Sequence, residues 1–198
     1  MKILDQSFGS CCDLRKLLNP ISSEIAIVQL SQGPLLGRLQ SFSFGAFRLT
    51  LLECNQTLFL TGTRRPKPCT ISLPLKGYNN GEMIRAQGYP MPWAGMMGYN
   101  LNLKDYDLKI PGGILLATIL ISKEELIQKI RDRSNSSLAL KRLEATNQLE
   151  FNTLKKSVKG ITCSSKPINE ILNYIKLIEK DDKKQIKTQV KHKKIVCN

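Results

Sequence analysis

The hydrophobic rhythm of this chain changes at Ser122, and that change limits the folds open to it. Before Ser122, apolar residues fall into strand-length segments: Glu24–Leu30, Leu35–Phe44, Ala46–Glu53, Thr57–Thr61, Cys69–Leu75, Met83–Gln87 and Ile114–Ile121. Gly33-Pro34, Gly45, Asn55, Gly62, Lys76-Gly77, Gly88 and Pro111-Gly112-Gly113 separate them. Short strands with frequent turn signals point to an all-β sandwich or barrel. Phe47, Leu49 and Leu51 share one face and Arg48 and Thr50 the other, the alternation of a half-buried strand. Ahead of these strands, Asp13 followed by Leu14, Leu17 and Leu18 suggests a brief helix ended by Asn19-Pro20.

From Ser122 onward the period becomes helical. Ser122-Lys123-Glu124-Glu125 has the form of a capping box, and Leu126, Ile127 and Ile130 follow at helical spacing. A longer helix is expected over Leu138–Lys159. Its stripe of Leu140, Leu143, Asn147, Phe151, Leu154 and Val158 would either pack on the sheet or pair with a second copy of itself. A single polar Asn in such a seam can fix register, so Leu140, Leu143, Asn147, Leu154 and Val158 are the candidate homodimer face. Another helix opens at Ser164-Ser165-Lys166-Pro167 and runs its apolar face through Ile168, Ile171, Leu172, Ile175 and Ile178. The expected organisation is a β-rich domain over 1–121, a helical linker and dimerisation segment over 122–179, and a basic, disordered tail over 180–198. The whole is α+β, mainly β in its N-terminal domain.

The residues able to do chemistry are few. The chain has one histidine, His192, and it lies in the tail. A histidine-bound metal needs several converging imidazoles, and Ser-His-Asp or Cys-His catalysis needs a placed one. No GxxxxGK[ST] phosphate loop is present. No catalytic residue, metal or cofactor is expected, and the chain is read as a binding module rather than an enzyme. Asp105 and Asp107 would share one face of a strand, flanked by Lys104 and Lys109, and are expected on a solvated edge. Arg64-Arg65-Pro66-Lys67 is expected at a solvated hairpin tip, with a phosphate contact as the alternative. The segment Gly88–Tyr99 concentrates the one Trp with two Tyr and three Met. It is either core or the lining of a pocket, in which case Tyr89, Trp93, Met96 and Tyr99 are the candidate ligand contacts.

Charge adds a second theme. The net charge is +14, with 30 Lys and Arg against 16 Asp and Glu. Residues 121–198 carry 18 basic against 9 acidic side chains, so most of the excess is C-terminal. Such a balance favours polyanions, and Lys183, Lys184, Lys187, Lys191, Lys193 and Lys194 are the candidate nucleic-acid contacts. The six cysteines form no CxxC pair and are expected as reduced thiols. No apolar run nears the roughly 20 residues of a membrane span, and Met1–Leu18 does not read as a secretory signal. A cytoplasmic protein without a membrane partner is expected.

The order of elements resembles the N-terminal sensor half of AraC-type transcriptional regulators, in particular those with a histidine-free cupin-like barrel. The resemblance rests on Gly33-Pro34-Leu35-Leu36-Gly37-Arg38-Leu39, the strand Phe44–Glu53, Thr70–Pro74, and the run from Gly98-Tyr99-Asn100 through Leu108-Lys109-Ile110-Pro111-Gly112-Gly113. It covers residues 13–135 and is one of order and spacing. It implies a cupin-like barrel or sandwich that senses a small-molecule effector, followed by linker helices and a DNA-binding domain of two helix-turn-helix units. Ile168–Ile178 is similar to the opening helix of that domain. No second turn-and-helix follows, so no recognition helix is assigned and the C-terminus is expected to be shortened. The expected role is a regulatory binding module. The alternative is a non-specific nucleic-acid-binding protein acting through its basic C-terminal segment.

Overall fold

The computed structural model describes residues 2–45, 47–64, 68–76, 82–91, 95–97, 104–122, 124–125, 128 and 148–150. Within them, one helix and twelve strands form two antiparallel sheets. The chain begins with β1 (Lys2–Phe8) and α1 (Cys11–Leu18), followed by β2 (Ser22–Gln29), β3 (Gly37–Phe44) and β4 (Phe47–Cys54). Next come β5 (Leu58–Arg64), β6 (Pro68–Lys76), β7 (Arg85–Ala86), β8 (Tyr89–Pro90) and β9 (Gly95–Met97). The remaining strands are β10 (Asp105–Ile110), β11 (Leu115–Ser122) and β12 (Gln148–Glu150). The larger sheet has the order β1-β3-β4-β11-β6-β9-β12 and the smaller one β2-β5-β10-β7-β8.

Alternation along these strands sorts their side chains into two cores. One core draws on both sheets and on α1: Leu14 and Leu18 pack with Leu39, Leu52 and Leu116 of the larger sheet and with Ile25, Leu60 and Ile110 of the smaller. It therefore lies between the sheets. The second consists of Phe42, Leu49, Leu51, Leu73, Leu75 and Ala117, all from the opposite face of the larger sheet. Strands β3, β4, β6 and β11 of that sheet thus carry buried residues on both faces. This is why β11 reads as a continuous apolar run rather than as clean alternation.

The mainly β character and the strand-by-strand reading agree with this architecture, but several expectations change. Of the two expected alternatives, the strands form two antiparallel sheets, as in a sandwich, and not a cupin-like barrel. The lead-in holds a strand, β1, as well as the brief helix. Asp5 on β1 accepts from Arg38 Nε and Nη2 at 2.7 and 2.6 Å. Phe8 pairs with Gly37 and lays its ring where a Cβ at that position would stand. The helix starts earlier than Asp13, because Ser10 is its N-cap and accepts from the Asp13 amide at 3.1 Å. β10 pairs with β5 along its length and with β7 only at Leu108 and Lys109, so Asp105 stays exposed beyond the β7 pairing, while the Asp107 carbonyl accepts from the Gln87 amide. Gln148–Glu150, expected inside a helix, form β12 against β9. There Leu149 is flanked by polar neighbours, a period-2 pattern that fits an extended strand as well as a helix. The larger sheet therefore extends past the expected boundary at residue 121. The Ser122 cap is present: Ser122 Oγ accepts from the Glu125 amide at 3.1 Å, and Glu124 and Glu125 are helical. No helix among the described residues is long and apolar enough to cross a membrane.

The β10–β11 turn is clasped by the β4–β5 connection. The Gly113 amide donates to the Cys54 carbonyl at 2.8 Å and the Gly112 amide to Thr57 Oγ1 at 3.3 Å. A Cβ on Gly112 would collide with the Asn55 carbonyl, which is main chain and cannot swing aside. Gly112→Ala should therefore cost about 2–3 kcal/mol, whereas Gly45→Ala, where a Cβ meets nothing within 4 Å, should cost less. Urea unfolding of the two variants checks the difference.

Candidate functional site

The inner faces of the sheets do not meet everywhere. Between them lies a cavity of about 100 Å³, continuous with solvent. Its apolar wall comes from Leu18, Ile25, Leu52, Leu60, Ile110 and Leu116. Its polar wall has two parts, one from each sheet.

On the larger sheet, register produces a row of hydroxyls. Ser41 pairs with Thr50, Thr50 with Thr118, and Thr118 with Ser72, across β3, β4, β11 and β6. Residues paired across strands point to the same face, so the row is continuous on the inner side. Ser72 Oγ and Thr118 Oγ1 are 2.9 Å apart, and Ser41 Oγ and Thr50 Oγ1 are 3.4 Å apart. Thr50, Thr118 and Ser72 line the cavity, while Ser41 and Thr50 line an adjoining pocket beside α1.

On the smaller sheet, Ser22, Arg64 and Tyr106 gather at one end. Ser22 pairs with Arg64, and Tyr106 pairs with Gly62, two residues before Arg64 on the same face of β5. Gly62 is needed there: a Cβ would approach Ser22 Oγ to 2.9 Å and Ile25 Cα to 3.1 Å. The close approach follows a bulge in β2, where the register shifts between Ser23 and Ala26 and Glu24 adopts φ +53. Ser22 Oγ donates to the Thr63 carbonyl at 3.0 Å and shares a hydrogen bond with Tyr106. Burial pushes the Tyr106 phenol up, opposed by Ser22 and by the Arg64 charge. Burial likewise pushes the Arg64 guanidinium down, opposed by Cys69 and Tyr106. Both groups sit where a charge is poorly solvated.

Arg64 is therefore not at the tip of a solvated loop. Leu58, Leu60, Gly62 and Arg64 alternate along the inner face of β5, and continuing that alternation past Thr61 is the sequence signal that would have located Arg64; Arg65, Pro66 and Lys67 lie outside the described residues. The hydroxyl row had no comparable signal, because it depends on register between strands far apart in sequence. Tyr89, a candidate pocket residue, lies on the terminal strand β8, is 69% exposed and does not line the cavity. Met96 lies on β9. Trp93 and Tyr99 lie outside the described residues. So do Leu140, Leu143, Asn147, Leu154 and Val158, and Lys183, Lys184, Lys187, Lys191, Lys193 and Lys194. Among the described residues, no group of three His, Cys, Asp or Glu could hold a metal ion.

Cys54, at the end of β4, is 3% exposed and donates to the Gln56 carbonyl at 3.3 Å. Burial pushes its thiol up from 9.0 to about 11. Below pH 9 both folded and unfolded states keep this proton. Between about 9 and 11 only the folded state does, so folding stability should fall as pH rises through that window. The raised Tyr106 phenol adds to the same slope. Urea unfolding near pH 8 and pH 10.5 should show the loss, and Cys54→Val should reduce it.

No protein-family model matches the chain, and no curated protein matches it. Among solved structures, the crystal structure of the AraC-like transcriptional activator CuxR shows a coarse likeness. It has a TM-score of 0.47 at 10% sequence identity, covering 87% of this chain and 67% of that one.

Proposed function

We propose that this chain is a non-catalytic regulatory binding module that holds a small-molecule effector between its two sheets. The observation that carries the proposal is the cavity itself: an apolar wall with a few convergent polar groups from both sheets, the usual composition of a ligand site. The order of elements, which resembles the sensor half of AraC-type regulators, supports the regulatory part. A thermal-shift screen with pooled small metabolites tests it. An effector at saturation should raise the melting temperature by roughly 4 °C or more. Thr118→Phe, which fills the cavity from an internal strand, should abolish that rise while circular dichroism stays β-like. Stabilisation that is equal in both proteins would place the ligand elsewhere and defeat the proposal.

A second reading is favoured by the lysines of residues 180–198, which make non-specific binding to nucleic acid a separate activity of this segment. Neutralising about six phosphates gives a log–log salt slope near −5. Removing residues 180–198 should bring the slope towards zero in fluorescence anisotropy with duplex DNA. Binding of unchanged strength and slope without them would defeat this reading.

A further inference from the structure

We infer that the effector is an uncharged molecule the size of one six-membered ring, with a single hydroxyl set on the Ser72–Thr118 pair and its ring between Leu52 and Leu116 on one side and Leu60 and Ile110 on the other. This rests on the inter-sheet cavity being the binding site and adds the size and chemical class of what occupies it. The volume sets the size. The cavity holds about 100 Å³ and opens to solvent. An apolar cavity of about 150 Å³ is enough for benzene, so one ring fits here with an edge at the opening. A larger body would have to displace close-packed core side chains. Leu52 and Leu116 belong to the larger sheet and Leu60 and Ile110 to the smaller, so they flank the space from opposite sides. Such a slot suits a flat body.

The lining sets the charge. Arg64 is half-buried and already engaged within the protein, so it does not wait for an anion. Asp107 also contributes to the lining, but strand alternation puts its side chain on the outer face of β10, with the exposed Thr61 opposite. Its carbonyl is taken by the Gln87 amide at 3.2 Å. An ionic ligand would therefore exchange water for a lining rich in leucine and isoleucine, at a cost of several kcal/mol when it is left unpaired. An uncharged ligand avoids that cost. A polyol fails for a related reason, because the hydrogen-bonding positions left open are few. Ser22 is taken by the Thr63 carbonyl at 3.0 Å and by Tyr106. Ser72 and Thr118 carry one O–H each and share one bond at 2.9 Å, so one O–H and some lone pairs remain on that pair. Thr118 lies two residues from Leu116 on the same face of β11. A ligand hydroxyl placed there accepts and donates while its ring lies against Leu116.

The test uses the full chain at pH 7 with phenol, toluene, benzoate, benzylamine and glucose, titrated by ligand-observed NMR. Phenol should bind roughly tenfold more tightly than benzoate or benzylamine. It should exceed toluene by about threefold, the worth of one uncharged hydrogen bond, and glucose should not displace it. Thr118→Val keeps the shape of the side chain and removes its hydroxyl. It should bring phenol down to the affinity of toluene, with toluene itself within about twofold of its value in the unaltered protein. Loss of toluene binding would mark a misfolded variant, and Ser72→Ala, with the same expectation, then replaces it. Benzoate or benzylamine matching phenol, or glucose binding best, would overturn the uncharged class and leave the cavity as a binding site. Toluene matching phenol would overturn the place of the hydroxyl on Ser72 and Thr118. If no probe binds, the class assigned here fails, and the cavity reading fails with it when Thr118→Phe also changes nothing in the metabolite screen.

Discussion

The structure hangs on the position of β11 between β4 and β6. Its register sets the cross-strand neighbours at the centre of the larger sheet: Leu116 opposite Leu52, Ala117 between Leu51 and Leu73, Thr118 between Thr50 and Ser72. A slip of one residue would turn Thr118 into the second core and Ala117 into the cavity. Both faces of this strand are enclosed, so such a slip would bury the Thr118 hydroxyl among Phe42, Leu49 and Leu75 without a partner. Apolar packing on one face and hydroxyl pairing on the other thus enforce the same register.

That constraint explains how a polar surface persists inside a small β-domain. A hydroxyl buried without a hydrogen bond costs on the order of 1–3 kcal/mol. The Ser72–Thr118 pair avoids this by bonding across the strands, and no described buried side-chain nitrogen or oxygen lacks a partner. Ser22 does the same through the Thr63 carbonyl, which is within reach only because Gly62 and the β2 bulge bring the strands together. The glycine and the bulge are therefore part of the site, although neither would contact a ligand.

How much of this was legible in the sequence depends on the range of the interaction that decides it. The strands β2 to β6 and β11 were readable because their apolar residues and turn residues are local signals. Ser10 and Ser122 act as caps for the same reason, through bonds spanning three residues. β1 was missed because Lys2, Asp5 and Gln6 dilute its alternation, and it is held by contacts from β3, through Arg38 and Gly37. The solvated edge expected around Asp105 holds at that end of β10, whereas pairing of Leu108 and Lys109 with the distant β7 encloses the other end and had no local signal. The site was the least legible part. Aromatic and Met content drew attention to Tyr89, which faces solvent, whereas the cavity is polar through Ser, Thr and a single Arg at ordinary frequencies. Only the superposition of two sheets makes those residues neighbours.

The polar end of the cavity is also poorly explained by stability alone. A guanidinium held where burial opposes its charged form is a cost to the fold, and apolar side chains of similar size in such places are often neutral or stabilising. A β-sandwich built only for stability would close the gap with Leu and Val, as its own second core does with Leu49, Leu51 and Leu73. Here the chain spends a bulge with a positive φ at Glu24, a glycine at the crossing point and a desolvated arginine to keep the space open and polar at one end. Such costs concentrate where a structure must recognise something.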